Sequence, residues 1–267
     1  MDYMTATGPP GTAELDIEFP DVKPGSLDQD QEWCLVKREG LTERVRFHDY
    51  ARIYEIPGLY EELFYKRLEC TSPPTIAGLL RTSLEKAGVD PSSLRVLDLG
   101  AGNGMVADAL AEVGVRAVAA VDVVPEAKLA AERDRPGLYD EYFVADFTAL
   151  PPETRARIAK HKPNALTTVA ALGFGDIPAS AFATAWNLIS PTGWVAFNIK
   201  EAFLSEKYQY GFSLLIRQLI SAGLLQVAVQ ERYLHRKALT GEPIHYIAIV
   251  GQKTGQIPDD WLNSLGE

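Results

Sequence analysis

The sequence predicts an α/β protein: a doubly wound, mostly parallel seven-stranded sheet with helices on both faces and a C-terminal antiparallel hairpin. Three observations carry this. Five short apolar runs between Val96 and Ile199 are separated by segments with apolar residues at helical spacing, the alternation that builds βα units. The first run, Val96-Leu97-Asp98-Leu99, leads into Gly100, Gly102 and Gly104, and a helical pattern begins at Val106. The last two runs, Leu225–Tyr233 and Ile244–Val250, are joined through Thr240-Gly241-Glu242-Pro243, a hairpin-like connection.

A strand, a glycine turn and a helix start in that order form a nucleotide-cradling loop. Glycine is needed because the backbone must turn sharply and admit a ligand where a Cβ would block it. A dinucleotide fingerprint would place its third glycine at position 105, where Met105 stands. The pattern is instead Asp98-x-Gly100-Ala101-Gly102-x-Gly104. An acid two residues before the first glycine disfavours a pyrophosphate on the loop and suits a cationic or hydrogen-bond-donating ligand. At these residues the sequence resembles the class I S-adenosylmethionine (SAM)-dependent methyltransferases, whose first motif is this acidic-x-Gly-x-Gly-x-Gly. The resemblance implies SAM, with its ammonium and sulfonium, as cofactor. It also implies that Asp98, Gly100, Ala101, Gly102 and Gly104 hold it.

Composition bounds the remainder. The 267 residues suffice for one large α/β domain with extensions, and 46% hydrophobic content supplies a full core. A net charge of −10 argues against a nucleic-acid partner, because affinity for phosphate backbones comes from clustered Lys and Arg. Cys34 and Cys70 stand far apart with no Cys/His cluster, so neither a disulfide framework nor a metal site is indicated. No run of about 18 apolar residues occurs and the N-terminus lacks a leader pattern, so the expectation is a soluble cytoplasmic protein with no membrane partner. It is expected to act as a monomer or homodimer.

Residues 1–32 carry eight acids against the single base Lys23, −7 of the net −10, and read as an acidic disordered tail. Residues 33–90 read as an N-terminal helical lid and substrate region. There Tyr50/Tyr54 and Tyr60/Phe64 recur at helical offsets, broken near Pro57-Gly58. Small-molecule methyltransferases carry a Tyr-Asp-x-x-Ala-x-x-Tyr-Asp stretch that lids the cofactor. Asp49-Tyr50-x-x-Ile53-Tyr54-Glu55 resembles it with the first pair inverted, which implies Tyr50 and Tyr54 as cofactor contacts. The alternative is that these tyrosines simply pack helices on the core. Pro74–Gly88 is an amphipathic helix leading into the SAM-binding domain, 91–254.

Val115–Val124 is the second buried strand and ends in Asp122, about 20 residues past the loop. A carboxylate there accepts from both ribose hydroxyls, and Val123 would flank the adenine; an N-cap for the next helix is the alternative for Asp122. Tyr142–Phe147 is the third strand. The resemblance places Asp146 on the adenine amine and the backbone of Phe147 on the ring, although an Asp there is also a common turn initiator. Asn164–Leu172 is the fourth strand, where small Ala170 and Ala171 would let the methionine end approach. It lacks the Asp/Asn-Pro-Pro-Tyr/Phe tetrapeptide of enzymes that methylate base amines or glutamine. Pro178–Ile189 is a helix, Ser190-Pro191-Thr192-Gly193 a turn, and Trp194–Ile199 the fifth strand. Tyr208–Ala222 is the next helix, and 255–267 reads as a C-terminal tail.

Methyl transfer from SAM asks for in-line geometry and an acceptor lone pair, and a hydroxyl acceptor benefits from a general base. His48 in the lid and His235 after the sixth strand are the candidates; His161 reads as a solvated helix end and His245 begins a strand. Aromatic side chains in the lid and in 203–212 suit a small, partly hydrophobic methyl acceptor bearing an O or N nucleophile. A protein methyltransferase and a catalytically silent SAM-binding or interaction protein would share these residues.

Overall fold

A computed structural model describes residues 15–38, 40–172, 175–204 and 211–262. The expected sheet is present. Its strands are β4 (Arg95–Leu99), β5 (Arg116–Asp122), β6 (Glu141–Val144), β7 (Ala165–Thr168), β8 (Trp194–Lys200), β9 (Leu225–Lys237) and β10 (Pro243–Lys253). The labels β1–β3 belong to a smaller sheet described below. The strand order is β6-β5-β4-β7-β8-β10-β9. The first five strands are parallel, and β10 pairs antiparallel with both β8 and β9. The central strands are buried on both faces: in β5, apolar between its ends, only the terminal Arg116 and Asp122 escape full burial.

Two helical layers cover the sheet. The helices α2 (Ser72–Lys86) and α3 (Met105–Glu112) bury Ile76, Leu80, Val106 and Leu110 on one face. On the other face α5 (Pro152–Lys160), α6 (Ala179–Leu188) and α7 (Gly211–Ser221) bury Ile158, Phe182, Trp186 and Leu215. The chain winds outward from β4 through β5 to β6 and then returns to β7 on the other side of β4. The strand ends therefore diverge between β4 and β7, the switch point where open α/β sheets bind ligands.

The N-terminal region departs from expectation. Residues 15–32 are folded: β1 (Asp16–Glu18) pairs with β2 (Trp33–Arg38), which pairs with β3 (Leu41–Arg46) in an antiparallel sheet. Acidity did not keep this segment in solvent because its acids find cations. Glu18 meets Lys37 at 2.6 Å, and Glu32 is buried against Arg236 at 2.5 Å. Residues 33–46 are thus a hairpin, not part of a helical lid. Helices begin only at α1 (Tyr50–Glu55), followed by a π-helical stretch, Glu61–Arg67. Ile17, Cys34, Val36 and Val45 of the small sheet, with Phe47 just after it, share a core with Ile53, Leu59 and Leu63.

Residues 255–262, expected as part of a C-terminal tail, pack on the domain. Ile257 is buried, and Trp186 donates its indole N–H to the Gly255 carbonyl at 2.9 Å, ahead of α8 (Asp259–Leu262). Lys253 is buried with its Nζ on the carbonyls of Trp186 (2.7 Å) and Ile189 (2.9 Å), so it caps α6. Tyr208 and Tyr210 of the expected acceptor segment lie outside the described residues.

Candidate active site

The loop after β4 turns through three left-handed glycines, Gly100, Gly102 and Gly104. Gly104 is the residue before α3, while a Cβ at Gly100 would strike Ile177, and one at Gly102 the Tyr54 hydroxyl. Asp98 is buried beneath the loop, 1% exposed. Its oxygens accept from the hydroxyls of Thr167 (2.7 Å) and Tyr139 (2.9 Å). Burial pushes its carboxyl up to about 6 despite those bonds. Ala101 is buried in the same turn, and its carbonyl accepts from Gly104 N–H at 3.0 Å.

Asp122 stands where β5 ends. Its two carboxylate oxygens accept from the backbone N–H groups of Gly102 and Val124, both at 3.0 Å, which ties the glycine loop to the neighbouring strand. One bond per oxygen leaves acceptor capacity for two hydroxyls. Burial raises its pKa. Beside it Val123 is 60% exposed, an apolar surface of the kind a purine face would cover.

Asp146 is exposed and accepts from the Thr148 amide (2.8 Å) and hydroxyl (2.6 Å), which holds its pKa down. This is the turn-initiating geometry. Phe147, the next residue, is buried in the main core.

Tyr54 and Tyr50 reach this site from α1, which packs along α4 (Pro125–Asp134). Tyr54 is buried against Ala127 and Ala130, with Tyr50, Tyr60 and Tyr142 around it. Tyr142 donates its hydroxyl to the Gly102 carbonyl at 2.8 Å.

A cavity of about 30 Å³, the share of roughly one water, opens next to the loop. Phe47, Tyr50, Tyr60 and Phe64 give it aromatic walls; His48, His235, Arg236 and Gln29 give it polar ones; and Ala170 and Ala171 line its border with the glycine loop. Ala170 has φ +59°, a left-handed conformation unusual for a residue with a Cβ. It is held there by Asn198, whose Oδ1 accepts from Ala170 N–H at 2.6 Å. The His48 Nδ1 lies 3.3 Å from the Asp176 carboxylate. His235 is buried, its Nδ1 2.6 Å from the Ser72 hydroxyl, and burial among cations pushes its pKa well below 6.5. The structure therefore brings both candidate histidines to one cavity from segments 187 residues apart.

Sequence reasoning missed Asn198, Ser72, Tyr233 and Asp176. Asn198 alone had a readable signal, a polar residue inside the apolar run Trp194–Ile199. His161 differs from its expected solvated state: its Nε2 lies 2.8 Å from a Glu141 carboxylate oxygen. Among the described residues no three His, Cys, Asp or Glu side chains gather as a metal site requires, and no helix is long and apolar enough to cross a membrane.

Strand order and loop together define the Rossmann-like fold of the class I SAM-dependent methyltransferases. The chain belongs to the methyltransferase-domain family, whose model matches residues 74–235. No curated protein matches the sequence. Among solved structures it is similar to the N-methyltransferase NodS from Bradyrhizobium japonicum, in complex with S-adenosylhomocysteine. The two are 14% identical over 78% of this chain and 97% of that one, with a TM-score of 0.51. It is also similar to an S-adenosylmethionine-dependent methyltransferase from Clostridium acetobutylicum, 12% identical over 74% and 97% of the two chains, TM-score 0.49. A ribosomal protein L11 methylase from Lactobacillus delbrueckii subsp. bulgaricus is 20% identical over 67% and 76%, TM-score 0.43.

Proposed function

We propose that this protein transfers a methyl group from SAM to an O or N atom of a small metabolite. The observation that carries the reading is the position of the aromatic-walled cavity, which is lined by Ala171, the residue whose side chain packs on Gly100 of the glycine loop. SAM, when bound, supplies an electrophilic methyl carbon on a good leaving group. The residues fit it. Left-handed Gly100 and Gly102 turn the loop tightly against Ile177 and Tyr54, with no room for a Cβ, Asp122 offers acceptors to the ribose, and Asp98 offers a buried carboxylate to the ammonium. Val123 and the turn at Asp146 and Phe147 would border the adenine. His48, paired with Asp176, is the base for a hydroxyl acceptor.

The reading includes a lid: Tyr50, in the aromatic wall of the cavity, would close over cofactor and acceptor to exclude water. Two measurements test the reading. Asp122→Ala should weaken SAM binding by about 2 kcal/mol in calorimetry, the scale of charge-assisted hydrogen bonds, in a chain that still folds. Tyr50→Ala should raise the Michaelis constants for SAM and acceptor together. If SAM fails to bind the intact protein, or if a polypeptide is methylated far faster than any small-molecule panel, the reading is overturned.

A further inference from the structure

Behind the cavity wall lies a buried cluster whose hydrogens can be counted. Asn198 Oδ1 accepts from the Ala170 amide, and a backbone N–H can only donate, so the orientation of the Asn198 amide is fixed. Its Nδ2 is then the donor to Ser72 Oγ (3.1 Å) and to the Tyr233 hydroxyl (2.5 Å). Having received a hydrogen from Asn198, the Tyr233 oxygen sends its own to Ser72 Oγ, 2.7 Å away. Ser72 Oγ now receives two hydrogens, and the one it donates goes to His235 Nδ1 at 2.6 Å. The reverse choice, Nδ1–H donating to Ser72, would turn the Ser72 hydrogen to Tyr233. The Tyr233 hydrogen would then have no acceptor among the described residues, and this half-buried hydroxyl would leave the run of bonds that joins Asn198 to His235. His235 is therefore held as the tautomer that carries its proton on Nε2.

That nitrogen makes no hydrogen bond to the described residues. The ring stacks on Tyr246, with centroids 4.0 Å apart, and lines the cavity. Gln29, on the same wall, gives its Nε2 to the Tyr246 hydroxyl (3.0 Å), while its other amide atom is buried with no protein partner. The Gln29 oxygen is shut off from the cavity, so His235 Nε2 is the group on this wall whose partner a ligand would supply.

We propose that His235 is a hydrogen-bond donor to the methyl acceptor, its Nε2–H meeting an oxygen lone pair, a carbonyl or oxyanion, on a small planar ring compound. It is not the general base, since the locked tautomer places a proton where a base needs a lone pair. Asn198, Tyr233 and Ser72 are positioning residues. Through Asn198 the same cluster holds the strained Ala170 backbone, so the border of the cofactor site and the acceptor contact share one support. The proposal rests on the reading of this cavity as the acceptor site of a methyltransferase.

Nitrogen-15 NMR of the full chain with labelled histidine tests the tautomer without any variant. His235, assigned by its loss in His235→Gln, should show hydrogen on Nε2 and a bare Nδ1; hydrogen on Nδ1 overturns the proposal. Recognition is tested with S-adenosylhomocysteine saturating, comparing 4-hydroxyacetophenone with 4-ethylphenol, which has the same ring and hydroxyl but no carbonyl. The intact protein should bind the ketone about tenfold more tightly, the worth of one hydrogen bond. His235→Phe should erase that ratio and keep S-adenosylhomocysteine affinity, and His235→Gln, which retains a donor, should restore most of it. Should His235→Phe not fold, Ser72→Ala is read in its place and should lower the ratio. Equal binding of the two probes, binding of neither, or a ratio that survives His235→Phe overturns the proposal. Failure of S-adenosylhomocysteine to bind strikes the methyltransferase reading instead, while the NMR result still decides the tautomer.

Discussion

The cavity is lined by Ala171, which packs on Gly100 of the glycine loop, and by Gln29, Phe47 and His48, which flank the N-terminal sheet, yet opposite kinds of interaction hold loop and sheet. The loop is tied by residues close in the chain: Gly102 to Asp122 across one βαβ unit, and Gly104 to Ala101. The N-terminal sheet is tied to the far end of the chain. Glu32 meets Arg236, 204 residues away, and also accepts from Leu239 N–H at 2.7 Å, while Gln29 reaches Tyr246. The glycine loop is thus built from local pattern, and the region around Gln29 and Glu32 from long-range pairs. In this chain, the turn along one βαβ unit is written in a motif and the pairing of the two ends of the chain is not.

The sharpest way to break that contrast is to cut the long-range tie. Arg236 and Glu32 are both buried, at 2% exposure each, so Arg236→Ala strands a carboxylate in the interior. The expected cost is about 3–5 kcal/mol, or roughly 6–20 °C in melting temperature for a chain of this size. Arg236→Met combined with Glu32→Leu should recover most of it, because a buried pair is replaceable by apolar packing. A thermal unfolding scan decides. A single variant that melts within about 1 °C of the parent, well below the cost of an orphaned buried charge, would show that the sheet is held by something else.

This division explains what was legible in the sequence. The strands β4, β5 and β8 read correctly because their apolar runs need no knowledge of a partner. Asp98, Asp122 and the glycines followed from spacing along one supersecondary unit. The hairpin at 33–46 did not read, because Lys37, Glu43, Arg44 and Arg46 dilute its alternation and only Cys34, Val36 and Val45 turn inward. The acidic stretch 15–32 was misread because net charge reports on solvation only when the counter-charges are also in solvent. Here Lys37 and Arg236 supply them, the latter in the interior. Ser72, Tyr233 and His235 carry no spacing signal, since they meet only where α2 crosses β9.

On the local side, Asp98 offers a test in which function and stability pull apart. Its carboxyl is raised to about 6, so between roughly pH 4 and pH 6 the folded chain holds a proton that the unfolded chain has released. Stability therefore falls as pH rises through that window, and the cost persists at pH 7. Asp98→Asn removes it. Urea unfolding should show a gain on the order of 1–3 kcal/mol at pH 7.5 and none near pH 4. Calorimetry should show SAM binding largely lost, since the buried carboxylate no longer faces an ammonium. A variant destabilised at both pH values would mean that the bonds from Thr167 and Tyr139 need the charge more than burial opposes it.

The smallest expected effect lies at Asp146, where the local side of the comparison is least settled by geometry. One carboxylate oxygen is spent on Thr148, an Asx-type turn that would exist with or without a ligand. The second oxygen has no bond to a described residue and sits one strand over from the exposed Val123, where an adenine amine could reach it. The two roles separate by magnitude and by ligand. Asp146→Ala should cost the fold no more than about 1 kcal/mol, the worth of one cap. If Asp146 reads the amine, the parent should prefer S-adenosylhomocysteine over S-inosylhomocysteine, whose ring carries an oxygen in place of that amine. The alanine variant should then bind the two about equally. Asp146→Asn has only one side-chain oxygen: spent on the Thr148 cap, it leaves an NH2 facing the adenine amine, so this variant should keep the fold and lose the preference. If the parent already treats the two ligands alike, Asp146 is only a turn residue, and the adenine is read by backbone and apolar surface alone.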